Sequence, residues 1–164
     1  MTLAEAAAEA QQLAEAGNER ALADLRRQWD DEVEAAARDS DYRVRAVAFR
    51  AIAQFRFRQK LELVRRGLQD ESPAARGSAL IALEALSRDH PGDVNGMRAL
   101  LHEMASNDPN MAVRRLAIVC LKNGSAQRET ILILNGLADD DEQESDLRKT
   151  AKAVATALTK KSRS

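Results

Sequence analysis

Four stretches of this chain repeat one arrangement, and a repeat of that kind confines the fold to stacked copies of a single small unit. Set on an arginine, the copies read DSDYRVRAVAFRAIAQF on Arg45, DESPAARGSALIALEAL on Arg76, DPNMAVRRLAIVCLKNG on Arg114 and EQESDLRKTAKAVATAL on Arg148. The arginines lie 31, 38 and 34 residues apart, within the period range of helical solenoids. Six positions before each stands an acid: Asp39, Asp70, Asp108 and Glu142. Three positions after each stands an alanine: Ala48, Ala79, Ala117 and Ala151.

The apolar residues around each arginine keep a helical phase. Val44, Ala75, Val113 and Leu147 precede it, and Ile52, Leu83, Leu121 and Ala155 follow seven positions later. Together with the alanines they fall within one arc of a 3.6-residue helix, so each copy carries a buried seam. Asp41, Ser72 and Asn110 stand where a helix would be capped, and Pro73 takes a first helical position where its missing N–H is harmless. The fourth copy has Glu144 at the corresponding place, and Ser145 is expected to cap it; Ser125 is expected to cap the segment before.

Another apolar helical segment precedes each copy: Leu22 to Val33, Leu61 to Leu68, Val94 to Met104 and Ile131 to Leu137. The chain therefore reads as antiparallel helix pairs at about 18–57, 58–89, 92–123 and 125–158. One pair cannot bury its own faces, so the pairs are expected to stack as a single domain over 1–158, with the recurring alanine at the closest approach. Residues 1–17 supply a capping helix, with Thr2 and Glu5 in capping-box register and Gly17 as its stop; residues 159–164 are expected to form a frayed basic tail.

Composition supports this all-α reading. Aromatic residues make up only 3% of the 164, so the core must be built from Ala, Leu, Ile and Val. A formal net charge of −1 argues against a protein whose main business is neutralising phosphates. The charge is laid out in blocks, with eleven acids against four arginines in 1–41 and eight basic residues against Glu62 alone in 42–66. The opening MTLAEAAAEA lacks the charge and apolar run of a secretory signal, and no segment has the length of a membrane span. Cytosolic residence is expected, and Cys120 has no second cysteine to pair with.

The acidic turn, the proline, the Val-Arg pair and the following alanine resemble HEAT repeats, including the PBS-lyase-type subgroup common in bacteria. The resemblance implies a right-handed α-α superhelix. It also implies a structural ladder in which Arg45, Arg76, Arg114 and Arg148, with Asp39, Asp70, Asp108 and Glu142, hold neighbouring repeats together and do no chemistry. It further implies that the second helix of each pair lines the binding face.

On that face, opposite the seam, stand Arg50, then Ile81 and Glu84, then Arg115, Val119 and Lys122, then Lys149. Ile81 and Val119 at the centre of the row, with a basic rim, are the composition of a groove for an acidic amphipathic helix or peptide. A second basic stretch, RAIAQFRFRQK, interleaves Phe55 and Phe57 with cations and raises the question of base stacking; contact with the acidic block of another copy fits it at least as well. The chain is expected to be a monomer or a weak homo-oligomer.

Enzyme signatures are weak. His102 has no ligand partner at helical spacing, His90 sits before a proline in a loop, and Cys120 falls on the inward side of its helix, so no metal, cofactor or catalytic residue is expected. The architecture is also similar to HEAT-like DNA glycosylases and bilin lyases, but the former need a basic aromatic cradle and the latter a pigment pocket. The expectation is a non-catalytic protein-interaction module or adaptor.

Overall fold

Every turn acid in the sequence sits just before a helix, and in the computed structural model, which describes residues 1–164, helices are the regular structure present. They are α1 (Leu3–Glu15), α2 (Glu19–Ala37), α3 (Tyr42–Gln54), a 3-10 turn at Arg58–Lys60, α4 (Leu61–Gly67), α5 (Pro73–Ser87), α6 (Pro91–Asn95), α7 (Arg98–Asn107), α8 (Met111–Leu121), α9 (Arg128–Asp139) and α10 (Ser145–Ser162). The four seam alanines Ala48, Ala79, Ala117 and Ala151 are each 0% exposed, so the shared phase read from the sequence is the phase of the core. A single domain is expected over 1–158; contacts cluster into two compact units, Met1–Leu86 and Ser87–Ser164.

In the first unit the capping box forms as its spacing demands: Thr2 Oγ1 accepts from the Glu5 N–H at 3.1 Å, and Glu5 Oε2 accepts from the Thr2 N–H at 2.8 Å. Gly17, at φ 72°, ends α1 in the left-handed conformation that glycine adopts without strain. Leu3, Ala6, Ala7, Ala10 and Ala14 line the buried face of α1, which packs on α2 and α3. Asp41 caps α3 through the Arg43 N–H at 2.9 Å.

Gly67 ends α4 where no side chain fits, because a Cβ there would lie 2.7 Å from the Phe49 ring and 2.8 Å from the Ala79 Cβ. Val44 departs from the expected seam and is 36% exposed. Gln54, at the end of α3, donates to Gln11 on α1 at 3.1 Å, whereas Tyr42, Arg43 and Val44 in the first turn of α3 are exposed.

In the second unit the apolar segment expected as one helix is broken at Gly96 into α6 and α7. Pro91 opens α6, and His90 is exposed at the position before it, a turn residue as expected. Asn110 caps α8 through the Val113 N–H at 3.1 Å.

Two expected caps are not made. Ser125 accepts a hydrogen bond from Asn95 Nδ2 at 2.9 Å, and α9 starts three residues later. Ser145 is the first residue of α10, and no side chain caps that helix.

The expected frayed tail is instead helical through Ser162. Lys161 Nζ donates to the Gly124 carbonyl at 2.9 Å, which ties the last turn to the end of the third copy. Gly124 itself lies so close to Val94 that a Cβ would stand 2.8 Å from Val94 Cγ1, which accounts for glycine at that seam position.

Candidate functional site: arginine rungs and second-helix faces

The repeated arginines are positioned by their helices to reach backbone carbonyls of the turn before them in the first two copies, and of the last turn of the preceding helix in the last two. Arg45 Nη1 donates to the Asp39 and Ser40 carbonyls at 2.9 and 3.0 Å, and Arg76 Nη1 does the same to Asp70 and Glu71 at 2.9 and 3.2 Å. Arg114 Nε reaches the Ala105 carbonyl at 2.8 Å, and Arg148 Nε the Ala138 carbonyl at 3.0 Å. The turn acids fold their own loops by accepting the N–H two residues on: Asp39 from Asp41, Asp70 from Ser72 and Asp108 from Asn110.

Between copies one and two a rung forms. Arg45 Nε and Nη2 donate to the two Asp70 oxygens at 2.8 and 2.9 Å. Burial pushes the Asp70 carboxyl up, but Arg45 and the Ser72 N–H outweigh it and hold the group below the usual carboxylate range.

In the fourth turn the expected acid is displaced. Glu142 is exposed and joins no rung, while Asp140 accepts the Glu142 N–H at 3.0 Å and so closes the turn two residues earlier. The third arginine meets an amide instead of a carboxylate. Arg114, 8% exposed, donates from Nη1 to Gln143 Oε1 at 3.1 Å, and its buried Nη2 has no partner. Arg148 reaches Asp141 at 3.3 Å.

The second-helix faces are less open than the sequence suggests. In the first unit Arg50 is exposed, and Ile81 and Glu84 are half-buried. In the second unit Arg115 and Val119 are half-buried, and Lys122 and Lys149 are exposed. Arg115 Nη1 is held by Glu144 at 2.8 Å, so it is a fixed cation on this face. At the start of α3 Tyr42 and Val47, which belong to no row expected from the sequence, stand exposed at 47 and 42% beside Val44, the seam residue exposed at 36%. Val47 is three residues before Arg50 and shares its face; the signal was present but lay one position outside the row considered.

In the basic stretch Arg50, Arg56 and Arg58 stay exposed, while Lys60 and the two phenylalanines turn inward. Lys60 is buried, with Nζ 2.5 Å from Asp30, 2.9 Å from Glu34 and 5.1 Å from the centre of the Phe57 ring. Burial pulls its pKa down, and the two carboxylates raise it above the ordinary lysine value. Phe55 and Phe57 are 0 and 4% exposed, so this pair is not available to stack on bases.

His102 donates to or accepts from Thr130 Oγ1 at 2.8 Å, in an open cleft of about 500 Å³ also lined by Arg98, Gln127 and Glu129. Burial holds its pKa below the ordinary histidine value. Cys120 is fully buried, and no three or more His, Cys, Asp or Glu side chains converge as metal ligands would.

A rung runs from Arg45 to the turn acid of the next copy beside fully buried seam alanines, and residues 31–103 match a family model of HEAT repeats. Over that stretch the chain carries HEAT repeats. The match runs from within α2 to within α7, and it is to HEAT repeats in general. A search of curated proteins found no match. HEAT repeats are commonly scaffolds for protein interaction, because stacked helix pairs present extended faces. No helix of the chain is long and apolar enough to cross a membrane.

Proposed function

We propose that this HEAT-repeat protein is a non-catalytic adaptor that holds an acidic segment of another protein against the helices bearing the repeated arginines. The observation that carries the reading is the face of α8, where half-buried Val119 lies between the fixed cation Arg115 and the exposed Lys122. An accessible aliphatic with cations on both sides suits an amphipathic helix with acids along its margin. Ile81 presents the same kind of centre on α5 in the first unit, with Arg50 exposed on α3. The arginines of the rungs spend their donors on backbone carbonyls and turn side chains, which fits a structural role for them and leaves recognition to the outer residues.

The test is affinity purification from a cytosolic extract of the native host, with the full chain and an Ile81→Asp/Val119→Asp variant as parallel baits. Retention of a protein by the wild type and its loss from a variant of unchanged helicity supports the adaptor. Equal recovery by the two baits overturns it, as does a small molecule or metal co-purifying in stoichiometric amount.

A further inference from the structure

The first and last helices carry opposite charge on their outer faces. Along α10, Lys149, Lys152, Thr156, Lys160 and Arg163 fall within an arc of about 80° at 100° per residue, opposite the buried Leu147, Ala151, Val154 and Leu158. No acid follows Asp146 in the sequence, and the side chains of Lys149, Lys152 and Lys160 make no hydrogen bond or ion pair within the chain. At the start of this stripe an open cleft of about 410 Å³ is lined by Ser145, Arg148, Lys149 and Lys152, with no carboxylate in its wall.

Along α1 the exposed residues are Ala4, Glu5, Ala8, Glu9, Gln11, Gln12 and Glu15, and no lysine or arginine occurs before Arg20. Small side chains at Ala4 and Ala8 on one helix, and at Ala153 on the other, leave room for the charged rows to approach.

We propose that the α10 stripe docks α1 of a second copy of this chain. The two surfaces are unlike, so the contact is heterologous: after pairing one copy retains its free acidic α1 and the other its free basic α10. Exposed ion pairs of this kind are weak singly and strongly screened, with a Debye length of about 10 Å at 0.1 M salt falling to about 3 Å at 1 M. Association should therefore weaken at least about tenfold when salt is raised from about 50 to about 500 mM. The contact does not require any partner on α5 or α8, and it is tested on the purified chain alone, so its failure is distinct from failure of the adaptor reading.

Sedimentation equilibrium of the full chain at the two salt levels decides the matter. Lys149→Glu/Lys152→Glu reverses α10, and Glu9→Lys/Glu15→Lys reverses α1; each variant should sediment as a monomer at low salt. The chain with all four substitutions has the wild-type net charge and should associate again. A wild type that is monomeric at low salt overturns the proposal, as do reversed variants that still associate or a folded fourfold variant that stays monomeric. Loss of a captured foreign protein from the α10 variant, with the wild type monomeric throughout, would assign the stripe to that partner instead. Should a variant fail to fold, the salt response of the wild type stands as the deciding measurement.

Discussion

Arg45 grips both carboxylate oxygens of Asp70, at 2.8 and 2.9 Å, across 25 residues of chain, with the two side chains only 12 and 10% exposed. One residue thereby joins α3 to the turn before α5 through its carboxylate and accepts from Arg76 at its backbone carbonyl. The rung is a local joint with a protonation state of its own.

That state sets a pH dependence. Asp70 has a folded pKa below its ordinary value, so its contribution is fully present above the usual carboxylate range and is lost as pH falls through the depressed value. Asp70→Asn should lower stability at neutral pH by about 2 kcal/mol and flatten the decline between about pH 4 and the acid limit. Chemical denaturation of both proteins along a pH series reads the difference; parallel curves would remove Asp70 from the acid response.

The fourth turn offers a sharper contrast. Gln143→Ala leaves Nη1 of the buried Arg114 without its acceptor beside an Nη2 that already lacks one, and should cost about 1–2 kcal/mol. Glu142→Ala removes an exposed side chain and should change stability by less than about 0.5 kcal/mol. Urea midpoints measured side by side check the order, and a larger loss at Glu142 would restore it to the ladder.

Glycine positions separate close packing from open helix. A methyl at Gly67 meets the Phe49 ring and the Ala79 Cβ at 2.7 and 2.8 Å, so Gly67→Ala should destabilise by about 1–3 kcal/mol. Gly92→Ala meets nothing within 4 Å inside α6 and should be neutral or slightly stabilising. Thermal unfolding of the two variants should move in opposite directions or differ by several degrees.

Arg56, at φ 51°, is the one residue other than glycine in the left-handed region. Arg56→Gly should relieve about 1 kcal/mol of backbone strain and raise Tm. A lowered Tm would mean that the Arg56 side chain contributes more than its backbone conformation costs.

What could be read from the residues was what local chemistry fixes. The seam alanines, the Asp41 and Asn110 caps, the Thr2–Glu5 box and the Gly17 stop each depend on neighbours a few residues away. The errors lie where distance or turn length intervenes. Asp140 and Glu142 are equally good acids in the string, and only the two extra residues of the fourth turn select the former. Ser125 has the residue type of a cap, whereas Asn95, 30 residues away, claims its hydroxyl. Lysine is normally solvated, so the burial of Lys60 against Asp30 and Glu34 follows from tertiary placement that no local pattern announces. On the candidate face the sequence placed the cations and aliphatics by helical period, and how far each is covered depended on packing beyond that period.

Cys120, the sole thiol, is sealed within α8 at 0% exposure, six residues from Arg114 on the same helix. A thiol reagent can reach it only when the second unit opens, so the rate at which one label is taken up is a clock for that opening. Any ligand that clamps α8 would slow the clock, and any change that loosens the third copy would speed it, without a probe having to be engineered into the chain.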